Sequence, residues 1–328
     1  MADTLQSLGE AELIHRLAQF APAGQFDDDT ATLPTSSQRQ VINTDLLVEG
    51  VHFSEATTSA EDVGWRAAAV NLSDLAASGA DTVVGLTVGL VAPGETPWPW
   101  VEGVYRGLQL ALNRYGGVLL GGDCSSGHQR MVAITAIGSL GPLRLLRSAA
   151  RAGDWLVTSG PHGLSRLGLA LLQHDPCLNN LSLDADLCAA ATLHHQRPTP
   201  RLMALTSLIA SKPAHLPWRA GGTDSSDGLL QALKALSATS DCCIQLDPTA
   251  LPQHPCWPKT ATFQEWCLNG GEDFELVLSL PPPWAQTWLN REPNSCRIGE
   301  VIAGPAAVLW SDTQRPVEGH NGFAHFGR

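Results

Sequence analysis

The chain has 328 residues, 44% apolar and 16% charged, with 32 acidic against 20 basic side chains and a formal net charge of −12. Such a length and apolar content support a sizeable core, most simply in two domains. The acidic balance excludes nucleic acid or an anionic membrane as the main partner, and with only three Lys (Lys212, Lys234, Lys259) a bare phosphate ligand is disfavoured as well.

No run of 18 apolar residues occurs, and the first residues lack a basic stretch followed by an apolar one. The expectation is therefore no membrane span, no secretory signal and a cytoplasmic location. The eight Cys show neither a CxxC pair nor zinc-ligand spacing and read as reduced small hydrophobes.

Along the chain, Asp27-Asp28-Asp29 fall in a loop between Gly24 and Thr30, where a solvated turn explains them as well as a ligand role does. Residues 41–45 read as a strand ending on Asp45, whose carboxylate would be half buried and in need of a partner. A helix is predicted over 61–78, opened by the capping-box spacing of Ser59 and Asp62 and closed by Gly79. Ala67, Val70, Asn71 and Asp74 share one of its faces. A strand over 83–91 precedes a helix over 98–115, striped by Val101, Val104, Tyr105, Leu108, Leu112 and Tyr115. The next strand, 118–123, ends on Gly121-Gly122-Asp123, where paired Gly permits close backbone approach beside a carboxylate. Residues 131–140 form another strand.

The segment 144–154, with Arg144, Arg147 and Arg151, marks a boundary between domains 1–148 and 149–328. Beyond it come a strand at 155–158, helices near 163–174, 200–211 and 226–240, and strands near 243–247, 274–280, 296–301 and 306–310. The stretch 248–258 and the Pro281-Pro282-Pro283 run read as surface connections. In Thr223-Asp224-Ser225-Ser226-Asp227-Gly228, Ser226 or Asp227 would be the N-cap of the following helix, whose free N–H groups could also hold a phosphate. Gly270-Gly271-Glu272-Asp273-Phe274-Glu275 repeats the pattern of paired Gly, acids and strand. Both halves are mixed α/β.

If the fold gathers these acids, their repulsion decides what they bind. Two carboxylates about 4 Å apart repel by roughly 4 kcal/mol at an effective dielectric near 20, so a group of them must protonate or take up cations. Hard oxygen ligands on turns favour Mg²⁺, which bridges carboxylates to substrate phosphates. Arg147 is a candidate phosphate contact and His52 a candidate ligand contact, each with a plain structural alternative. No GxxxxGK[ST], protein-kinase pattern, dinucleotide fingerprint or GxSxG elbow is present. Phosphate handling would rest on metals and Gly turns.

These strings, in this order, resemble thiamine-monophosphate kinase, of the ATP-binding superfamily that includes aminoimidazole ribonucleotide synthetase. The most specific are residues 43–53, from Asn43-Thr44-Asp45 to His52-Phe53, residues 69–80 around Asn71-Leu72-Ser73-Asp74, Gly121-Gly122-Asp123, and residues 270–276. The closing Gly322-Phe323-Ala324-His325-Phe326 is similar as well, and the likeness runs from about Glu10 to Phe326. The chain departs from the family pattern at Asp27, Cys124-Ser125-Ser126 and Thr223, and an aromatic substrate contact of the family falls near His320.

The resemblance implies Mg²⁺-dependent, direct in-line transfer of the ATP γ-phosphoryl group to thiamine monophosphate, giving thiamine diphosphate and ADP. It implies several Mg²⁺ ions on Asp28, Thr44, Asp45, Asp74, Asp123, Asp224 and Asp227. ATP would meet Asn43, Gly122, Arg147 and Ser226, and thiamine monophosphate would meet His52 and Glu272. The implied fold is a two-domain α/β (α+β) protein. Its N-terminal mixed sheet binds ATP and pairs across a homodimer, and a C-terminal α/β domain completes the site. A phosphate monoester has a second pKa near 6, so the acceptor is already anionic at about pH 7 and no catalytic general base is expected. The alternatives are another ATP-dependent synthetase of the superfamily, against which the lack of any Cys before Cys124 counts for selenophosphate chemistry, or a non-catalytic nucleotide and Mg²⁺ scaffold.

Overall fold

The computed structural model describes residues 3–23, 30–31, 33–179 and 181–319; Asp27, Asp28, Asp29, His320 and the segment 322–326 lie outside the described residues. Cα packing divides the chain into two compact units, residues 1–75 with 80–140 and residues 76–79 with 141–328. Among the described residues no helix is long and apolar enough to cross a membrane.

In the first unit the elements run α1 (Leu5–Leu17), β1 (Gln40–Val48), α2 (Ala60–Ser78), β2 (Ala80–Ala92), α3 (Trp98–Tyr115), β3 (Val118–Ser126) and β4 (Met131–Leu140). The strands form a mixed sheet in the order β1-β4-β2-β3, with only β2 and β3 parallel. Alternation along β1 puts Asn43, Asp45 and Leu47 on one face and Ile42, Thr44 and Leu46 on the other. On that second face Ile42 is 68% and Leu46 48% exposed.

Helix α2 starts as its sequence predicts. Ser59 Oγ donates to the Asp62 carboxylate at 2.7 Å, the Asp62 N–H donates back to Ser59 Oγ at 3.2 Å, and Gly79 ends the run at φ +89°. The stripe Val101, Val104, Tyr105, Leu108 and Leu112 of α3 is buried, whereas Tyr115 is only partly so. The two helices meet through glycines: a Cβ on Gly64 would lie 1.9 Å from the Val104 carbonyl oxygen, and one on Gly107 1.9 Å from that of Glu61.

The second unit runs β5 (Trp155–Thr158), α4 (Leu164–Leu172), α5 (Ala185–Gln196), α6 (Leu202–Ala210), β6 (Gly221–Asp224), α7 (Leu229–Ser240), β7 (Cys243–Leu246), α8 (Ala261–Asn269), β8 (Leu276–Leu280), α9 (Pro282–Leu289), β9 (Cys296–Ile302) and β10 (Ala307–Trp310). Its sheet has the order β10-β7-β9-β5-β8-β6, antiparallel except for β10 beside β7. Leu156, Leu230, Leu233, Ile244, Val277 and Ile298 form one buried cluster. Leu164, Leu167 and Leu187 form another with Trp257, Phe263 and Trp266.

Two local expectations are corrected. The Pro281-Pro282-Pro283 run opens helix α9 instead of making a surface connection, because Pro in the first helical turn gives up only N–H groups that would be unpaired there. Trp284 and Trp288 anchor this helix in the core, their indole N–H groups donating to the carbonyls of Leu208 at 2.9 Å and Ala204 at 3.1 Å. Helix α7 begins at Leu229 and is capped by Gly228 at φ +101° with no side-chain bond, so neither Ser226 nor Asp227 is its N-cap.

The close helix crossing sets a test. Ala at position 107 gains about 1 kcal/mol of helix propensity, but its methyl group meets backbone that cannot rotate away. We expect Gly107→Ala to lower stability by about 1–3 kcal/mol net, read as a fall in the urea midpoint; an unchanged or raised midpoint would contradict this packing.

Candidate functional site

The first unit brings several predicted residues onto β1, α2 and β3. The Asn43 side-chain N–H₂ donates to Asn71 Oδ1 and to Asp74 Oδ2, both at 3.0 Å, tying the strand to the polar face of α2. Asn71 is itself fixed by donating to the Ala67 carbonyl at 2.9 Å. Asn43 Oδ1 remains buried without a hydrogen-bond partner. Asp45 is half-buried on the same face of β1 as Asn43, in register with Ile134. Thr44 points to the opposite face, with its hydroxyl 2.8 Å from that of Thr135.

On β3, Gly122 and Asp123 are exposed and lie in register with Val88 and Gly89. A Cβ at Gly122 would stand 2.0 Å from the Val88 carbonyl oxygen, so the position accepts only Gly and leaves bare backbone beside Asp123. Cys124, next in line, is partly buried near Tyr105, and burial pushes its thiol up to about 11. It is a neutral neighbour of the carboxylates, and all eight Cys are free. His52 is held in the turn after β1: its Nδ1 accepts from the Val48 N–H at 3.0 Å, and its carbonyl accepts from buried Arg66 at 3.3 Å.

The second unit carries the remainder. Arg147 Nε donates to Thr223 Oγ1 at 3.0 Å, beside Asp224 at the end of edge strand β6. Asp224 is buried and accepts from Ser226 Oγ at 3.3 Å, whereas Asp227 is exposed. The Glu272 N–H donates to the Ser226 carbonyl at 2.6 Å, joining the two acidic loops through backbone. Gly271, Glu272 and Phe274 have φ values of +67°, +56° and +53°. For the two non-glycine residues this conformation is disfavoured by about 1–2 kcal/mol each, so the surroundings must hold it.

What holds it was not foreseen from the sequence. The buried Asp273 carboxylate accepts from the N–H groups of Gly163 at 2.6 Å and Ser165 at 3.0 Å, at the start of α4. Burial raises it to about 7, with those two N–H groups pulling the other way. Glu275, fully buried, bonds Ser159 Oγ and pairs with Arg201, yet burial still raises it above its ordinary value. His162 is completely buried, and burial lowers it to about 3 against the opposing pull of the Gly160 backbone. The alternation of acids at 273 and 275 next to a strand was the available signal, but the partners lie about a hundred residues away in sequence.

The donor chemistry fits Mg²⁺. Apart from Arg147 and His52, the predicted ligands in both units present oxygen, and Asn43 Oδ1 is a buried acceptor with room in its bonding. Among the described residues no group of three or more His, Cys, Asp or Glu side chains is arranged to hold a metal. Mg²⁺ ordinarily takes one or two carboxylates together with substrate phosphates and water, a demand that such ligands meet without a closed cage.

Comparison with known proteins adds independent findings. Residues 27–140 match the family model for the AIR synthase related protein, N-terminal domain. The thiamine-monophosphate kinase of Prochlorococcus marinus is 52% identical over 310 residues, covering 94% of this chain and 93% of the relative. That of Synechococcus elongatus is 42% identical over 98% of both chains. A solved structure of AaThiL complexed with AMPPCP and TMP superposes with a TM-score of 0.75 at 28% identity, covering 99% of this chain and 100% of the other.

The buried histidine gives a pH test. In the fold His162 is held near 3, whereas in the unfolded chain it takes up a proton below about pH 6.5. Its contribution is therefore present above about pH 6.5 and lost as the pH falls toward 3. Asp273 acts in the opposite sense, its contribution being lost as the pH rises through about 7, so the test compares variants. Between about pH 7 and about pH 5 the urea midpoint of the wild type shifts downward relative to that of His162→Gln; parallel changes in the two would contradict the assignment.

Proposed function

The chain belongs to the thiamine-monophosphate kinase family, and we propose from that premise how its own residues serve the reaction. It is an ATP-dependent phosphotransferase: the γ-phosphoryl group of ATP passes to the phosphate of thiamine monophosphate, giving thiamine diphosphate and ADP. The acceptor oxygen is anionic near neutral pH, so the residues need to bind, align and neutralise, and no general base is required.

The observation that carries the site reading is the Asn43 amide, which donates to Asp74 and Asn71 while its oxygen is buried without a hydrogen-bond partner. Asp45, Asp74 and Asp123 on the first unit, with Asp28, are the proposed Mg²⁺ ligands, as are Asp224 and Asp227 on the second; Thr44, whose hydroxyl lies beside Thr135 on the other face of β1, does not join them through its side chain. Bound there, Mg²⁺ would neutralise and clamp the phosphate oxygens. Asn43 orients the Asp74 carboxylate, and the bare backbone at Gly122 lets a phosphate approach closely. Arg147 and Ser226 are the remaining ATP contacts, and His52 and Glu272 the contacts to thiamine monophosphate. Arg147 is exposed and already directed by Thr223, which suits a side chain that meets a phosphate.

Residues 1–148 are proposed to bind ATP and Mg²⁺ and to pair in a homodimer, residues 149–328 to supply the other ligands, and the cytoplasm to be the site of action. The exposed Ile42 and Leu46 on one face of edge strand β1 support pairing through the first sheet.

Two measurements follow. With ATP and Mg²⁺ the wild type forms thiamine diphosphate, and Asp45→Ala or Asp74→Ala falls below about 1% of its kcat while keeping a cooperative urea transition; a variant with near-normal kcat would sink the ligand assignment. Light scattering gives a two-chain mass for the wild type and a one-chain mass for Ile42→Lys with Leu46→Lys; a two-chain mass kept by the variant would contradict the pairing face.

A further inference from the structure

We propose that His195, in the last turn of α5, is a positioning residue that aims the Glu272 carboxylate at thiamine monophosphate. The inference rests on the reading that Glu272 meets this substrate, and concerns what directs the side chain there. The backbone of the loop is already fixed on two sides. The Glu272 N–H donates to the Ser226 carbonyl at 2.6 Å, and His194 Nε2 lies 3.1 Å from the Asp273 carbonyl oxygen. A left-handed Glu272 therefore leaves the loop in one direction only, at φ +56°.

The side chain beyond Cβ is a separate matter. Glu has three rotatable torsions, and ordering them when a ligand arrives weakens binding. His195 meets this need from a buried position: its Nδ1 is 3.8 Å from Glu272 Oε2 and 3.1 Å from Ser165 Oγ, with the residue 3% exposed. Ser165 restrains the rotation of the ring and so holds its Nδ1 edge facing the carboxylate. The adjacent histidines thus divide the loop, His194 taking the backbone of Asp273 and His195 the side chain of Glu272. Ser165 also donates its N–H to the Asp273 carboxylate at 3.0 Å, so the restraint on the ring and the restraint on the loop share one residue.

The test compares His195→Ala, Glu272→Gln and the double variant, reading kcat and the KM for each substrate. Removing a positioning contact raises the KM for thiamine monophosphate about tenfold and changes kcat and the KM for ATP less than about twofold. The double variant is then no worse than Glu272→Gln alone. His195→Asn, whose amide can donate from the place of Nδ1, recovers part of the loss, and it carries the test should His195→Ala fail to fold. Additive effects in the double variant, or a loss shared equally by both substrates and kcat, would overturn the proposal. Glu272→Gln with an unchanged KM for thiamine monophosphate would remove the substrate role of Glu272 and the proposal with it. Glu272→Gln with a raised KM beside a normal His195→Ala would remove the role of His195 alone.

Discussion

Carboxylates facing a phosphate-bearing ligand repel it unless positive charge stands between them. This chain, with 32 acidic against 20 basic side chains and a net charge of −12, has too little such charge of its own to spare. The arrangement on the first unit follows from that constraint. Asp45 comes from an edge strand, Asp74 from a helix and Asp123 from a second strand. Each is set on the regular backbone of a strand or a helix. Asn43 makes the scheme workable. An amide can donate to a carboxylate without neutralising it, so Asn43 holds Asp74 in place without cancelling its charge.

The second unit solves a different problem with the same residue type. Asp273 and Glu275 are buried carboxylates that stay within the protein, and their partners are helix N–H groups, Ser159 and Arg201. They hold a loop whose backbone is unfavourable on its own. Burial raises both carboxyls, a reservoir of unfavourable energy that the hydrogen bonds only partly offset. Strain of this kind is common at ligand-binding loops, which accords with the proposed substrate contact of Glu272.

Much of this was legible in the sequence because it is local. The Ser59 and Asp62 capping box, the Gly79 stop and the apolar stripe of α3 each declare themselves within a few residues, and the structure has them where the spacing put them, whereas the strands expected to end on Asp45 and Asp123 run on to Val48 and Ser126. The misreadings also have physical causes. Pro281 to Pro283 carry a breaker signal that is also a helix-start signal, and the buried Trp284 and Trp288 decide between the two. Ser226 and Asp227 look like N-caps, but Gly228 at φ +101° takes the turn that a cap would have made. The role of Asp273 was out of reach, because it caps a helix more than a hundred residues earlier in the chain. Helix α5 was missed because its buried positions, Leu187, Ala191 and His195, include a small and a polar residue in place of an apolar stripe.

The central claim is that this acidic chain takes up ATP through Mg²⁺ held by its own carboxylates. Calorimetric titration of the wild-type protein with ATP, in Mg²⁺ and again in excess chelator, tests it most directly. The account predicts saturable binding with Mg²⁺ and none measurable in chelator. Equal affinity under the two conditions would contradict it.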